Sequence, residues 1–232
     1  MITETGKGNN LHTFGREMRI GKAREYLETF LCSPHPHRNG AVCPFMQTAL
    51  RKNVVQVVAY EDISREGDEI NTLTSFIRKH RHDILADGYA AIVIVMSAQI
   101  SISMLTRIHR TLHKHSLNEG LLLGMFHPES NVISLHNDDY YPNRSGLPLL
   151  ALRNISSPDL EIAIKKAGMP TQKKLELIGT FLSNSPFATT KDILHWKNIA
   201  AKLRCKYHLR IAVSIVCLAC ILAYLALGIS HL

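Results

Sequence analysis

The chain has 232 residues, which is long enough for one domain with a sizeable core and an additional segment. Lysine and arginine (27) outnumber aspartate and glutamate (19), which gives a net charge of +8, and a hydrophobic fraction of 46% excludes wholesale disorder. The 5 cysteines are odd in number, and two of them lie in an apolar tail, which excludes a disulfide framework.

In chain order, short apolar runs alternate with amphipathic segments. The β-branched and apolar runs predict strands at 53–60, 89–96, 121–126 and 149–153. Helical spacing predicts helices at 21–31, 46–52, 69–79, 101–115, 156–168, 171–183 and 190–208. This alternation predicts an α/β or α+β domain with a single main sheet and flanking helices.

The segment 211–229 predicts one C-terminal transmembrane helix. It holds nineteen residues without a charge, and as a helix it would be roughly 28 Å long, which matches the hydrocarbon core of a bilayer. A buried core helix is the alternative, but such a helix normally keeps a polar stripe. Because only three residues follow the segment, the expected architecture is tail-anchored, with no N-terminal signal peptide.

The charge around this segment predicts its orientation and its lipid partner. Lys202, Arg204, Lys206 and Arg210 precede it, and no lysine or arginine follows, so the positive-inside rule places the soluble part in the cytoplasm. Reduced thiols at Cys32 and Cys43 agree with that compartment. We expect the basic run Lys202–Arg210 to meet anionic lipid headgroups, and no nucleic acid, because motifs that read nucleic acid are missing.

These observations divide the chain into four expected parts. They are a disordered N-terminus at 1–19, a soluble α/β domain at 20–186, a basic juxtamembrane helix at 187–210 and the anchor at 211–229.

Two loop motifs lie within the soluble domain. One contains Gly40, Cys43, Pro44 and Phe45; the other contains Phe126-His127-Pro128, then Arg144-Ser145 with Pro148, and then Leu150-Ala151-Leu152-Arg153. This pairing resembles an uncharacterised bacterial domain family over about residues 20–165, which implies no settled activity. More remotely, the Cys-Pro turn and the later His-Pro turn are similar to YqcI/YcgG-type proteins, some of which are haem-dependent N-oxygenases.

Cys43 is the candidate metal ligand. A cysteine before a proline is presented at a turn, here one that leads into a helix, and a helix N-terminus favours the thiolate that ligates metals. Thiolate haem sites also use such turns, and the sulfur then donates electron density to iron. The alternative is a small buried residue that fills the turn.

His127, Arg144 and Arg153 are the candidate catalytic residues. His127 follows a strand end, where ligands gather in α/β sheets, but it is equally suited to order its loop through a hydrogen bond. Either arginine would hold a carboxylate, a phosphate or the haem propionates, unless it forms a structural pair with Glu129, Asp138 or Asp139. Phe45 and Phe126 complete the expected wall of a cofactor pocket.

Two weaker metal motifs are present. His109 and His113 have the i, i+4 spacing of a two-histidine site but lack the glutamate of HExxH, and the neighbouring lysine and histidine residues favour a solvated basic face instead. Cys32, His35, His37 and Cys43 have ligand chemistry, but their spacing matches no common zinc module.

Two classes of function follow. One is a redox enzyme that holds a haem between Cys43 and His127. The other is a non-catalytic sensor or adaptor in which the same loops bind an acidic small ligand or a protein at a membrane. Walker, GxSxG, kinase and dinucleotide motifs are missing from the sequence, so the common NTPase, hydrolase and dehydrogenase classes lose their main support.

Overall fold

The computed structural model describes residues 10–60, 66–134, 137–166, 168–184 and 188–229. Side chains are described within these ranges except at 10–14, 66, 210 and 218–229.

Seven helices and four strands make up the described chain. The helices are α1 (Asn10–Glu25), which continues into a π-helical segment (Tyr26–Leu31), α2 (Pro44–Arg51), α3 (Glu66–Ala86), α4 (Ile102–Asn118), α5 (Ser157–Lys165), α6 (Thr171–Asn184) and α7 (Thr190–Ile229). The strands are β1 (Val55–Ala59), β2 (Ala91–Val95), β3 (Leu121–Phe126) and β4 (Leu149–Asn154).

The strands form one mixed sheet in the order β1-β2-β4-β3. β1 pairs in parallel with β2 through a crossover that contains α3, as parallel pairing requires. β4 runs antiparallel to both of its neighbours, with Leu149 opposite Phe126 and Arg153 opposite Leu122. The order of the strands puts β2 and β4 in the centre of the sheet, and these are the two most deeply buried strands.

Helices cover both faces of the sheet. On one face, α3 and α4 bury Leu73, Ile77 and Ile108 against Ile92, Ile94 and Leu152. On the other face, α1, the π-helical segment and α2 bury Leu27, Leu31 and Met46 against Val93, Val95 and Leu149. Because β2 is buried on both faces, its sequence is a continuous apolar run with no alternation.

The last three helices form a separate layer beside the sheet. Trp196 and Ala200 of α7 pack with Leu160 of α5 and with Ile178 and Phe181 of α6 in a third apolar cluster. The indole Nε1 of Trp196 donates a hydrogen bond to Ser157 Oγ at 2.8 Å. The first turns of α7 are therefore part of the folded domain.

The predicted α/β class and the four strands are confirmed, with strand ends shifted by two residues or fewer. The helix expected at 21–31 is longer and changes its winding at Tyr26. Helix α1 begins at Asn10, within the segment expected to be disordered, while residues 1–9 lie outside the described residues.

Among the described residues, no helix combines the length and the apolar character that crossing a membrane requires. Helix α7 continues through the predicted anchor to Ile229, but the side chains from 218 onward lie outside the described part of the chain. The anchor at 211–229 therefore stays a prediction.

Candidate functional site

A cavity of about 540 Å³ lies where the end of β4 meets the first turns of three helices. Its lining comes from the loop before α2, the start of α5, the start of α7 and the turn before β2. The residues with polar or aromatic side chains are Arg38, Cys43, Phe45, Thr48, Tyr89, Arg153, Asn154, Ser156, Ser157, Asp159, Phe181 and Asp192. This volume lies within the usual range for small-molecule sites.

Cys43 enters this cavity as the N-cap residue of α2. Its backbone is extended (φ −125°, ψ 95°), and Pro44 occupies the first helical turn, where a missing N–H costs nothing. The backbone N–H of Cys43 donates to the Leu31 carbonyl at 2.7 Å, which ties the turn to the π-helical segment. The thiol is free and half-buried, so the turn presents sulfur to the cavity as the Cys-Pro sequence predicts.

Arg153 forms the floor of the cavity together with Asp159 and Phe45. Its guanidinium makes a bidentate pair with the Asp159 carboxylate, with Nη1–Oδ2 at 2.6 Å and Nη2–Oδ1 at 2.5 Å. The guanidinium carbon also lies 4.6 Å from the centre of the Phe45 ring. The arginine thus connects β4, α2 and α5 at one point.

Burial and pairing act in opposite directions on both charges. Burial raises the pKa of Asp159, but the Arg153 guanidinium and the Ser156 donors overcome this and hold the pKa below its ordinary value. Burial likewise lowers the pKa of Arg153, and Asp159 reverses that effect, so the net shift is upward. The pair is ionised on both sides and contributes no net charge to the cavity.

Arg38 supplies a second guanidinium at the cavity. It donates to three backbone carbonyls of its own loop, those of Asn39, Ala41 and Val42, at 2.6–3.2 Å. These acceptors are neutral, and in the part of the chain that is described no carboxylate lies within ion-pair distance of it. The described residues therefore leave two charges at the cavity without an ion-pair partner. They are the Arg38 guanidinium and the Asp192 carboxylate, which accepts hydrogen bonds from the backbone N–H and the hydroxyl of Thr189.

The structure does not bring the remaining candidates to this cavity. Phe126 is opposite Leu149 in the ladder, four residues along β4 from Arg153, which separates the two backbones by roughly 14 Å. Phe126 packs edge-on against Tyr26 at 6.3 Å between ring centres. Arg144 lies in the loop before β4, donates to the Ser130 carbonyl at 2.9 Å and stacks on Tyr141 at 3.7 Å.

His127 is buried just beyond β3. Its backbone N–H donates to the Asn143 carbonyl at 3.2 Å, and its own carbonyl accepts from Ser130. The ring atom Nδ1 is buried without a hydrogen-bond partner among the described residues. His127 does not line the Cys43 cavity, so the described residues do not form the expected Cys43–His127 pocket.

Neither of the weaker metal motifs forms a site. The described residues contain no group of three or more histidine, cysteine, aspartate or glutamate side chains that could hold a metal ion. The zinc site considered at Cys32, His35, His37 and Cys43 is therefore wrong. His35 and His37 instead pack around the ring of Tyr140, and His109 bonds through Nε2 to the Leu123 carbonyl at 3.2 Å.

Sequence reasoning assigned no role to two residues that shape the cavity. Asp159 is the partner of Arg153 in place of Glu129, Asp138 or Asp139, and its place in the first turn of α5 was visible as a Ser-x-x-Asp capping pattern at 156–159. Arg38 carries no comparable signal, because its approach to the cavity depends on how the loop at 33–42 folds back on itself.

The fold and the cavity define a single-sheet α/β domain with a ligand-sized cleft between its sheet and its C-terminal helices. Residues 20–174 match a domain of unknown function, DUF6875, and the chain belongs to this family. No curated protein and no solved structure matches the chain. The expected membership of an uncharacterised domain family is confirmed, whereas the remoter similarity to haem proteins gains no support.

Proposed function

We propose that the protein is a membrane-anchored sensor or adaptor whose α/β domain binds a small ligand with an apolar body and one anionic group. The observation that carries this proposal is the convergence of Cys43, Phe45 and Arg153 on one cavity of about 540 Å³, with the uncompensated charge of Arg38 beside them. A preformed cavity with aromatic walls and few polar groups is the usual form of a ligand site.

The lining favours an amphipathic ligand. Phe45, Phe181 and the half-exposed Ile162 supply apolar surface, and Tyr89 adds an aromatic ring 5.6 Å from that of Phe45. The Arg153–Asp159 pair is internally neutral, so it shapes the cavity and adds no attraction for an anion. Arg38 is the group that we assign to the anionic end of the ligand, since a guanidinium binds carboxylate or phosphate with two parallel hydrogen bonds.

The position of the cavity along α7 indicates where the ligand comes from. Asp192 lines the cavity, and the proposed anchor begins at Ile211, nineteen residues further along the same helix. At 1.5 Å per residue this is roughly 28 Å. With α7 upright on the proposed anchor, the cavity would lie well above the bilayer surface. At this distance from the bilayer, the cavity is more accessible to a solute from the aqueous phase than to a bilayer lipid.

A haem enzyme is the less supported alternative. A thiolate at Cys43 would be one axial ligand, but no histidine is found among the described residues that line the cavity. Arg153, the expected partner of a propionate, is already bound to Asp159. The residues present therefore do not fit a haem held between Cys43 and His127.

Ligand binding is tested on the full chain in mild detergent by thermal shift and calorimetry with octanoate, 4-hydroxybenzoate and phenyl phosphate. We expect at least one of these to bind and to raise the melting temperature, because a ligand that binds only the folded state stabilises it. Arg38→Gln and Ile162→Glu should each weaken binding by tenfold or more. The matched controls Arg144→Gln and Ile133→Glu change the same residue types outside the cavity and should bind normally.

Two results would contradict the ligand site. Equal loss in the control variants would show that the effect is not local to the cavity. A Soret band after titration with haemin that Cys43→Ser removes would favour the haem enzyme over the sensor.

The proposal of a membrane anchor is based on the apolar sequence 211–229 and on the basic residues before it. Deletion of residues 209–232 should release the protein from alkali-washed membranes, and protease added to the cytosolic face should degrade the domain. Retention of the shortened chain in the membranes, or full protection from protease, would overturn this part of the proposal.

A further inference from the structure

Helices α5, α6 and the first half of α7 run antiparallel between two ends of the domain. At one end, Ser157, Phe181 and Asp192 share the ligand cavity. At the other end, Pro170 and Thr171 share a groove with Tyr207 and Ile211. The start of α6 therefore lies level with the first turn of the proposed anchor, whose Ser214 and Ile215 also line this groove.

This second end of the helical layer is strongly basic. Residues 163–174 and 202–211 are about thirty positions apart in sequence and contain no aspartate or glutamate. Their basic residues are Lys165, Lys166, Lys173, Lys174, Lys202, Arg204, Lys206 and Arg210. The fold brings the two segments side by side, so the basic charge before the anchor is only half of a larger cluster.

The lysines of the first segment are available for a partner. Lys165, Lys166 and Lys173 are exposed, and none of them forms an ion pair within the described part of the chain. Lys174 Nζ donates to the Ile164 carbonyl at 2.8 Å, which fixes the start of α6 against the end of α5. The end of α5 and the start of α6 therefore have a defined relative position, and the three exposed lysines on them are accessible to a partner.

Apolar side chains continue directly from this charge. Leu209 and Ile211 are 64% and 41% exposed, and the side chain of Tyr207 lies at the edge of the groove. A band of lysine and arginine followed by an aromatic residue and then by apolar residues is the order of groups across a membrane interface.

We propose that Lys165 and Lys166 at the end of α5 and Lys173 at the start of α6 form a second membrane contact, which docks the domain on anionic phospholipid headgroups. This inference rests on the proposed anchor, since the anchor holds these lysines beside the bilayer and makes their contact intramolecular. Docking through this end fixes the orientation of the domain, with the helical layer upright and the ligand cavity facing away from the lipid. Each lysine near such a surface contributes about a fivefold preference for the docked state.

The experiment uses the full chain reconstituted into vesicles of phosphatidylcholine alone or with 30 mole per cent phosphatidylserine, on the order of that of a cytoplasmic leaflet. Flotation reports anchoring, and hydrogen exchange with mass spectrometry reports docking. We expect flotation with both lipids, and slower exchange of a peptide over 163–175 only with phosphatidylserine. A peptide over 38–45, which lines the cavity at the other end, should exchange equally in both.

Charge reversal distinguishes docking from anchoring. The triple variant K165E/K166E/K173E should still float but lose the protection of 163–175. The docking equilibrium should fall by about a hundredfold or more, since three attractive charges are lost and three repulsive ones are added. The matched control K22E/R24E/R51E reverses three exposed charges on α1 and α2, and it should keep the protection of 163–175. High salt should remove the protection in the unchanged protein, because headgroup attraction is screened.

Several outcomes would overturn the inference. Flotation with no lipid-dependent protection would leave the anchor in place and refute docking, whereas failure to float would refute the anchor itself. If the control variant K22E/R24E/R51E also loses the protection of 163–175, the effect depends on the total charge of the protein and not on this surface. Protection of 163–175 by a duplex oligonucleotide on neutral vesicles would assign the surface to nucleic acid instead.

Discussion

Arg153 at the end of β4 and Asp159 in the first turn of α5 form a two-point ion pair across the floor of the cavity. The carboxylate also accepts hydrogen bonds from the backbone N–H and the hydroxyl of Ser156, at 2.8 and 2.6 Å. One aspartate therefore caps its own helix and neutralises the arginine of the neighbouring strand. The pair joins the end of β4 to the first turn of α5.

Removal of one member of this pair should be costly. Arg153→Ala leaves the Asp159 carboxylate largely buried without its counter-charge, and we expect a loss of about 3 kcal/mol in the free energy of unfolding. Chemical denaturation of the full chain in detergent measures it. Arg144→Ala is the control: it removes a stacked arginine that has only neutral partners, and it should cost about 1 kcal/mol. Similar losses in the free energy of unfolding for Arg153→Ala and Arg144→Ala would contradict the stabilising role that we assign to the ion pair.

The ion pair also predicts an acid dependence. The pKa of Asp159 in the folded state is below its ordinary value of 3.8, so the unfolded chain takes up the proton first as the pH falls. The stability that Asp159 contributes is complete above about pH 5 and declines below about pH 4. The difference in unfolding free energy between the unchanged protein and Asp159→Asn should be constant from pH 5 to 8 and shrink in acid. A difference that grows in acid would contradict the direction of the pKa shift.

Trp196 tests whether α7 belongs to the domain. Its side chain is 1% exposed, and it is the chain's single tryptophan, so fluorescence reports on this position alone. Trp196→Ala should destabilise the protein by about 4 kcal/mol through the lost burial and the cavity that remains. Trp196→Phe keeps most of the apolar area and should cost less than half as much. An emission spectrum typical of a water-exposed indole in the native protein would contradict this packing.

Gly120 lies at a close approach between the turn after α4 and the end of α6. Its φ is +82°, and a Cβ atom there would lie 2.5 Å from Cβ of Asn184. Gly120→Ala should therefore destabilise the protein by about 3 kcal/mol, since it adds backbone strain to a steric clash. Gly179→Ala is the matched control, because Gly179 lies inside α6 with open space around its Cα, and it should stabilise by about 0.5–1 kcal/mol. Thermal unfolding of both variants decides the comparison.

The sequence by itself determined the class of fold and the elements of the sheet. The continuous apolar run of β2 was predictable, because burial on both faces requires apolar residues along a central strand. The presentation of Cys43 at the start of α2 was equally predictable, since a residue before proline is restricted in its own backbone whatever surrounds it. These features are set by steric rules and by hydrophobicity over a few neighbouring residues.

The composition of the cavity was decided only by the tertiary structure. The sequence grouped Cys43 with His127, but β3 and β4 run antiparallel, so residues at the end of one strand lie beside the beginning of the other. This arrangement puts Phe126 next to Leu149 and leaves Arg153 at the opposite end of the ladder with Cys43 and Phe45. The partner of an arginine and the two segments of a basic surface likewise depend on contacts between distant parts of the chain. Periodicity and turn chemistry act over a few residues and carry no information about such contacts.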